Sequence, residues 1–419
     1  MKTGTCTRRR FLSRSTIATA GALAGTRAAA YARTLGANDR IRLGFIGTGG
    51  RGRSMIIEVG TLARQEGVNV EITAVCDLWK VAREAGAADV TRLVGGTPKQ
   101  FARPEELLAR TDIDGVVIAT PDFWHVPQLL AAVKAGKDVY IEKPLAWSLD
   151  EAKAARNAVK ASDRVVQVGT QGRSSPARFA AREFIRAGRL GRVSTATAAA
   201  NDCGPRWRRE DTCAEIKAAD FEWEYYLADR PKRPFNPRQA VEWRLFWEFS
   251  TGPAGLLGSH MFDATQFVLD APLPATATAN GGVYLWPDGR ETPDTFMALI
   301  EYPRKCLLHY TTRLGNDSGY GLHLFGTAGM LDAHSTEYKG LGGRGPDKLP
   351  DEPQKLAFDP PGPYPHMRNF LDCMRSRKTP LGSIDAGYQH TITMLLANES
   401  FKTGRKMRYD EQKERIVPA

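Results

Sequence analysis

The chain has few cysteines for its 419 residues, and no two of them form a Cys-x-x-Cys motif. Cys6 lies near the N-terminus. The others are widely spaced along the rest of the chain: Cys76, Cys203, Cys213, Cys306 and Cys373. These five cysteines are an odd number, which argues against a fully paired disulfide framework in this part of the chain. A bridge between Cys203 and Cys213 stays open, but buried free thiols are the simpler expectation.

Long apolar runs and basic runs are also missing after the N-terminal region. No stretch reaches the ~18 apolar residues that a membrane-spanning helix needs. Of the formal net charge of +11, six charges lie in residues 1–32, which contain no acid. The remaining excess is small and dispersed, so we expect no nucleic-acid partner. The length allows two domains, each with its own core.

The N-terminal residues read as an export signal. TRRRFLS (7–13) matches the twin-arginine pattern, and the mildly apolar residues 15–32 end in Ala-x-Ala sites such as Ala28–Ala30. A charged start, a modest apolar stretch and small residues at a cleavage site are typical of a signal peptide. We therefore predict a twin-arginine signal over 1–32, export to the periplasm, and the twin-arginine machinery as a partner. The alternative is a disordered basic tail.

A nucleotide-binding pattern follows. Ile41–Ile46 alternates like a strand, and a helical pattern begins at Ser54. Between them lies a Gly-x-Gly-x-x-Gly turn made of Gly47, Thr48, Gly49, Gly50, Arg51 and Gly52. In such a turn the first glycine permits the tight bend, the second lets the backbone approach a pyrophosphate, and the third lets the helix pack on the strand. The helix N-terminus then faces the anion.

The residue after the next strand bears on the choice of cofactor. Val70–Val75 reads as a strand, and Asp77 follows it closely. A carboxylate there can accept hydrogen bonds from the ribose hydroxyls and would repel a 2′-phosphate, which favours NAD. Arg51 could counter that repulsion, so NADP remains an alternative. Asp77 could also be a simple strand-end cap.

Strands and helices continue to alternate in this first region. Further strands are predicted at Asp114–Ala119, Asp138–Ile141 and Val165–Val168, with helices at Pro127–Ala135 and Leu149–Lys160. This alternation predicts an α/β Rossmann domain with a doubly wound parallel sheet and a ligand at its carboxyl edge. The residues expected at that edge are Thr120, Pro121, His125, Glu142 and Lys143.

From about residue 191 the pattern changes to strands separated by turns. They are predicted at Val193–Ala199, Ala275–Val283, Thr295–Tyr302, Cys306–Arg313 and Tyr320–Phe325. This pattern predicts an α+β domain with a large, mostly antiparallel sheet. Residues 337–365, rich in glycine, proline and lysine, are expected to form a long loop.

Three segments carry a family resemblance. GTGGRG, CDLW and ATPDFWHVPQLLAAVKAGKDVYIEKPLA resemble the glucose–fructose oxidoreductase/inositol dehydrogenase/MocA (Gfo/Idh/MocA) family, in its exported bacterial form. The resemblance implies an NAD(P)-binding Rossmann domain over 39–170 and a substrate and oligomerisation domain over 171–419. It also implies a carbohydrate substrate, a homo-oligomer and no metal.

The resemblance assigns roles around the EKP triplet. Lys143 would contact the nicotinamide ribose and a substrate hydroxyl, and Glu142 would help to shape the turn, with a cis peptide before Pro144. Thr120-Pro121 and His125 would lie near the cofactor. The alternatives are a solvated strand-end lysine for Lys143 and a structural hydrogen bond for His125.

A second set of roles falls on TGPAGLLGSHMFDATQFVL (251–269). The family carries an Asp-x-Gly-x-His-x-x-Asp pattern here, which places His260 as the general base and Asp263 as a group that orients the ring or binds substrate. A histidine suits proton transfer near neutral pH. The alternative is a buried structural histidine. The departure is Leu256 at the first aspartate position, because leucine can neither hydrogen-bond substrate nor tune the histidine.

Aromatic and basic residues are interleaved before this helix. They are Trp207, Trp223, Tyr225, Tyr226, Trp243, Phe246 and Trp247, with Arg206, Arg208, Arg209 and Arg244. Aromatic faces pack on sugars and arginines bind hydroxyls or carboxylates, so Arg244 and Trp247 are candidate substrate contacts. Core packing is the plain alternative.

Three functions stay open at this point. The first is an exported NAD(P)-dependent oxidoreductase of a sugar, polyol or glycoside, with a tightly bound, recycled cofactor, because no nucleotide pool exists outside the cytoplasm. The second is an NAD-dependent glycosidase or lyase acting through a transient keto sugar. The third is a non-catalytic, cofactor-bound binding protein in which Leu256 marks lost chemistry.

Overall fold

The computed structural model describes residues 40–303 and 306–419. The export signal predicted over 1–32 lies outside the described residues. Within the described residues, no helix is long and apolar enough to cross a membrane.

The first domain is built on a six-stranded parallel sheet in the order β3-β2-β1-β4-β5-β6. Its strands are β1 Ile41–Ile46, β2 Val70–Cys76, β3 Lys99–Phe101, β4 Gly115–Ile118, β5 Asp138–Ile141 and β6 Val166–Val168. The predicted doubly wound sheet is confirmed, and β1 and β4 meet at its centre. Because β4 and β5 are wholly buried, they read as largely apolar runs, whereas β1 keeps the partly exposed Arg42.

Five helices connect these strands. They are α1 Gly50–Gln65, α2 Lys80–Leu93, α3 Pro104–Leu108, α4 His125–Lys134 and α5 Leu149–Lys160. The Ser148 side chain caps α5 by accepting from the Glu151 amide, and acids occupy the first turn of that helix. The helix α2 and the short β3 and α3 have no counterpart in the sequence-based prediction.

The second domain contains a ten-stranded sheet in the order β14-β13-β12-β11-β7-β10-β9-β8-β15-β16. Its strands are β7 Val193–Ala199, β8 Thr276–Gly282, β9 Thr295–Tyr302, β10 Cys306–Arg313, β11 Gly321–Gly326, β12 Gly329–Asp332, β13 Glu337–Lys339, β14 Gln354–Lys355, β15 Met407–Asp410 and β16 Arg415–Pro418. The described pairings are antiparallel except that of β7 with β10, so the predicted mostly antiparallel sheet is confirmed.

Helices cover one face of the large sheet. The remaining helices are α6 Pro176–Arg186, α7 Glu210–Glu215, α8 Trp223–Tyr226, α9 Pro237–Val241, α10 Ser259–Leu269, α11 Pro365–Ser376 and α12 Ile384–Thr403. Of these, α10 packs on β7 and β11, and α12 packs on β8 and β9. The opposite face carries exposed apolar side chains, including Met297, Leu299, Leu307 and Phe325. The predicted homo-oligomer stays a prediction.

One segment near the C-terminal part of the chain differs from its prediction. Residues 337–365, expected to be a loop, contain the short strands β13 and β14. They extend the sheet edge, because β13 pairs with β12 and β14 pairs with β13. Gly404 ends α12 in a left-handed conformation, and residues 407–410 then form β15. Helix α11 packs on the first sheet, where Phe370 and Met374 join its core.

The five cysteines that the structure describes are free thiols, so no Cys203–Cys213 bridge forms. Cys76, Cys306 and Cys373 are buried.

Candidate active site

A cavity of about 1140 Å³ lies between the carboxyl edge of the parallel sheet and the second domain. Its wall includes the glycine turn after β1, the ends of β2, β4 and β5, parts of residues 202–244, and the turn and first residues of α10. Parallel strands bring their carboxyl ends to the same edge of the sheet. Ligands of doubly wound sheets bind beyond this edge, which is where the cavity lies.

The glycine turn has the shape that a pyrophosphate requires. Gly47 has φ +87°, and a Cβ there would lie 2.7 Å from the Ala119 carbonyl oxygen. A Cβ on Gly52 would lie 2.0 Å from the Gly47 carbonyl oxygen. Gly49 and Gly50, by contrast, face space in which a Cβ would meet nothing within 4 Å. The backbone therefore leaves an open cradle at the N-terminus of α1, which suits an anion.

Thr48 fixes the glycine turn through hydrogen bonds to residues that follow β2. Its side chain is fully buried and its hydroxyl donates to the Ala82 carbonyl at 3.0 Å. Its backbone amide donates to the Asp77 carboxylate at 2.7 Å. Thr48 and Gly52 thus shape the cradle without lining the cavity.

Asp77 lies where the sequence predicts a ribose contact. It lines the cavity, and its carboxylate also accepts from the Trp79 amide at 2.9 Å. Burial raises the pKa of Asp77, while the two amide donors oppose that shift. The buried indole N–H of Trp79 has no hydrogen-bond partner among the described residues, so this end of the cavity holds an unused donor next to the carboxylate.

Arg51 is held by acids. Its Nε donates to Glu142 at 2.7 Å, and a second guanidinium nitrogen donates to Glu58 at 3.0 Å. Burial raises the pKa of Glu58, and the Arg51 charge opposes that shift. With two carboxylates on its guanidinium, Arg51 is a poor partner for a 2′-phosphate, which strengthens the case for NAD over NADP.

Thr120, Pro121 and His125 also line the cavity. The His125 ring nitrogens lie 2.6 Å from the Pro144 carbonyl oxygen and 2.9 Å from that of Thr120. Thr120 itself donates to Gln128 at 2.7 Å. His125 therefore ties the ends of β4 and β5 together, as in the structural alternative considered for it.

Lys143 lies on the cavity wall at the end of β5. The peptide bond between Lys143 and Pro144 is cis, as the family resemblance implies. The Lys143 ammonium donates to the carbonyl oxygen of Leu256, in a π-helical turn (Ala254–Gly258) that leads into α10. Burial lowers the pKa of Lys143 to about 8.

His260 lies one turn beyond Leu256 and lines the same cavity. Burial lowers its pKa well below the usual value, and the nearby charges of Lys143 and Arg178 act in the same direction. Its ring makes no hydrogen bond with any residue that the structure describes. A neutral imidazole with free ring nitrogens can accept a proton at neutral pH.

Two of the sequence candidates lie away from the cavity. Asp263 is fully buried beneath α10, where it accepts from Arg173 at 2.6 Å. Its carboxylate lies 3.8 Å from Nδ1 of His390 rather than beside His260. Trp247 packs against Phe401, with ring centroids 6.1 Å apart. Neither Asp263 nor Trp247 lines the cavity.

Leu256 lines the cavity and packs into an aromatic cluster. The cluster contains Phe123, Trp223, Tyr226, Trp243 and Phe249. The side chain that replaces the family's aspartate is therefore part of an apolar wall.

The segment 202–250 contacts the first domain, which the sequence does not indicate. The Glu222 amide donates to the Leu78 carbonyl at 3.0 Å, and Phe221 forms an isolated bridge with Trp79. Arg103 pairs with Glu222 at 2.8 Å. This segment therefore crosses the first domain next to Asp77, and its aromatic density was the only sequence signal for it.

A buried carboxylate that the sequence did not single out joins the two domains. Asp122 accepts from the backbone amide of Thr251 at 3.0 Å and from its hydroxyl at 2.5 Å. The Thr251 carbonyl accepts in turn from Asn398 at 2.9 Å. Asp122 thus fixes the turn that carries Leu256 and His260.

In a comparison with known protein families, two regions of the chain match models of one family. Residues 41–170 match the oxidoreductase family's NAD-binding Rossmann fold. Residues 225–409 match the C-terminal alpha/beta domain of the same family.

Curated relatives match over shorter stretches. A glycosyl hydrolase family 109 protein from Solibacter usitatus is 36% identical over 136 residues, covering 30% of this chain and 29% of that protein. The scyllo-inositol 2-dehydrogenase (NAD(+)) of Bacillus subtilis is 39% identical over 97 residues, or 23% of this chain and 28% of that protein. The chain thus spans less than a third of the length of these relatives.

Solved structures match over most of the fold. The aldose-aldose oxidoreductase from Caulobacter crescentus, complexed with glycerol, has a TM-score of 0.67 at 17% identity and covers 88% of this chain and 99% of its own. At that identity the likeness concerns the fold.

Proposed function

The chain belongs to the Gfo/Idh/MocA oxidoreductase family, and on that basis we propose that it is an NAD-dependent oxidoreductase acting on a CH–OH group of a sugar, polyol or glycoside. The observation that carries the proposal is the presence of Lys143 and His260 on the wall of the cavity that the glycine turn opens into. The inositol dehydrogenase relative supports the choice of substrate class.

Each residue has a separate task. His260, neutral because burial and Lys143 depress its pKa, takes the hydroxyl proton. The ammonium of Lys143, oriented by the Leu256 carbonyl, donates to the oxygen that loses this proton and stabilises the negative charge that develops there. When bound, the nicotinamide cofactor supplies the hydride acceptor.

The cofactor would be held by the residues of the cradle. Amides of Gly49 and Gly50 would face the pyrophosphate, and Asp77 would accept from the adenosine ribose. Segment 202–250 would cover this end, because Phe221 and Glu222 lie against Leu78 and Trp79.

We also propose that the enzyme is exported with its cofactor bound. The leader at 1–32 would direct the folded protein to the periplasm, where no nucleotide pool exists. Bound nucleotide would then be recycled within each turnover, by passing hydride between sugars. The aldose-aldose oxidoreductase of the same fold supports this type of reaction.

Cleavage of a glycoside is the second candidate. The observation in its favour is the similarity of part of this chain to glycosyl hydrolase family 109 proteins. A transient keto sugar would allow elimination of the glycosidic substituent before reduction. Product analysis separates the two, since cleavage of a glycoside without net NADH formation identifies the second.

The test uses the holoenzyme and the variants Lys143→Ala and His260→Ala. Exposed residues provide the matched controls Lys134→Ala and His334→Ala. A panel of sugars and polyols is added, and reduction of the bound nucleotide is followed by its near-ultraviolet absorbance. We expect reduction in the controls and none in the two site variants. Full reduction in both site variants would refute the assigned roles, and a holoenzyme that no sugar reduces would favour the binding-protein alternative.

A further inference from the structure

Arg244 is a cation in the part of the cavity that Lys143 and residues 202–244 line, which we call the substrate half. It lines the wall together with Lys143 and Tyr226. No hydrogen bond or ion pair joins its guanidinium to any residue that the structure describes. The group is held in place by stacking, since its Cζ lies 4.1 Å from the centroid of the Trp243 ring. Burial lowers its pKa to about 10, a value that keeps it charged at neutral pH.

Two neighbouring arginines add further positive charge to this part of the cavity. Arg206 forms an ion pair with Asp202, and both line the cavity. Arg209 lines it too and has no carboxylate partner in the described part of the chain; its guanidinium donates only to the Arg208 carbonyl at 3.1 Å. The substrate half therefore carries more positive than negative charge.

No carboxylate of the cavity forms an ion pair with Arg244 in the described part of the chain, although the charge of Asp122 acts on its guanidinium. Asp122 accepts from Thr251, and Glu142 and Glu58 hold Arg51 on the cofactor side. The Arg244 guanidinium lines the cavity and has no hydrogen-bond or ion-pair partner among the described residues, so its donors are available to an anionic ligand. Its planar fork of donors matches a carboxylate in particular, which it can bind by two parallel hydrogen bonds.

Leu256 fits the same account. An aspartate at this position would add a carboxylate to the wall that also carries Lys143 and Arg244. It would neutralise part of the positive charge and repel an anionic substrate. Leucine removes that carboxylate, while its backbone carbonyl still orients Lys143.

From these contacts, and resting on the oxidoreductase function proposed above, we propose that the substrate carries a carboxylate, as hexuronic acids and their glycosides do, and that Arg244 binds it. Arg244 is then a specificity residue. Its stacking partner Trp243 and the nearby Trp207 would pack on the apolar face of the sugar ring.

Binding calorimetry on the NAD-loaded protein tests this with three ligands: D-glucuronate, its neutral methyl ester, and D-glucose. We expect D-glucuronate to bind about 10- to 100-fold more tightly than the ester, the range for a hydrogen-bonded charged pair. Arg244→Gln should abolish this preference, so that D-glucuronate and its ester bind equally. Arg244→Lys should retain only part of it, and Arg405→Gln, at an exposed arginine, should retain all of it.

Equal binding of D-glucuronate and its ester by the wild-type protein would overturn the inference, and this comparison needs no variant to fold. An unchanged preference in Arg244→Gln would overturn it as well. If neutral sugars reduce bound nucleotide but D-glucuronate has no advantage, the carboxylate inference fails and the oxidoreductase proposal stands. If no ligand of either kind binds or is oxidised, both fail.

Discussion

The ammonium of Lys143 donates to the backbone carbonyl of Leu256. This contact joins the end of β5 in the first domain to the turn that carries His260 in the second. It survives any change of the residue 256 side chain, because the acceptor is the backbone. Lys143 is therefore oriented without the family's aspartate, which supports the proton and hydride chemistry proposed for this site.

Lys143→Met should separate activity from stability. Hydride transfer in a single turnover should fall by about 100-fold or more, because the hydroxyl oxygen loses its charged donor. The melting temperature at pH 7 should rise, since burial disfavours the charged lysine in the folded protein, as its pKa of about 8 indicates. Lys134→Met, at an exposed lysine, should change neither quantity. A variant that is fully active would contradict the assigned role.

The pH profile of kcat/KM should have two limbs. Activity should rise as His260 loses its proton, at a pH well below 6.5, because its pKa is depressed. It should fall as Lys143 loses its proton near pH 8. In Lys143→Arg the alkaline limb should move to higher pH, since a guanidinium stays charged. An alkaline limb that is identical in this variant would assign it to another group.

Leu256→Asp should weaken binding of D-glucuronate by about tenfold or more, through repulsion on the cavity wall. Binding of D-glucose should change less. Leu256→Asn is the matched control, because it adds a polar group of similar size without the charge. Stronger binding of D-glucuronate by the aspartate variant would argue against an anionic substrate. Gain of activity on neutral sugars alone would point to a decayed polyol site.

Phe221→Ala should loosen the cofactor. The residue lines the cavity, bridges Trp79 and packs on Tyr226 at 5.3 Å between ring centroids. Its removal should raise the NAD dissociation constant by about tenfold, an amount typical for loss of a buried aromatic contact. The control is Phe358→Ala, at an exposed phenylalanine outside the cavity. Unchanged retention of NAD after gel filtration would show that segment 202–250 does not hold the cofactor.

The first domain could be predicted well because its signals are local. Buried parallel strands give continuous apolar runs, and the glycine turn has a fixed spacing between β1 and α1. The three-residue β3 and the five-residue α3 escaped prediction because such short elements carry too little periodicity. The strands β13 and β14 were missed for the same reason, since pairing at a sheet edge stabilises them rather than their composition.

The candidate site was predicted in part. Lys143 and His260 follow motifs, and the structure places both on the cavity wall. Asp263 shares the helix of His260, but helical spacing does not reveal that Arg173 engages its carboxylate on the far side. The contact of Asp122 with Thr251 spans a sequence separation of 129 residues, which no local pattern can encode.

The most direct test of the account is made on protein isolated from the periplasm. The purified protein is denatured, and any released nucleotide is identified and quantified by mass spectrometry. We expect close to one NAD per chain, which would mean that a loaded holoenzyme is exported. Protein that carries no nucleotide and fails to bind added NAD would contradict the account.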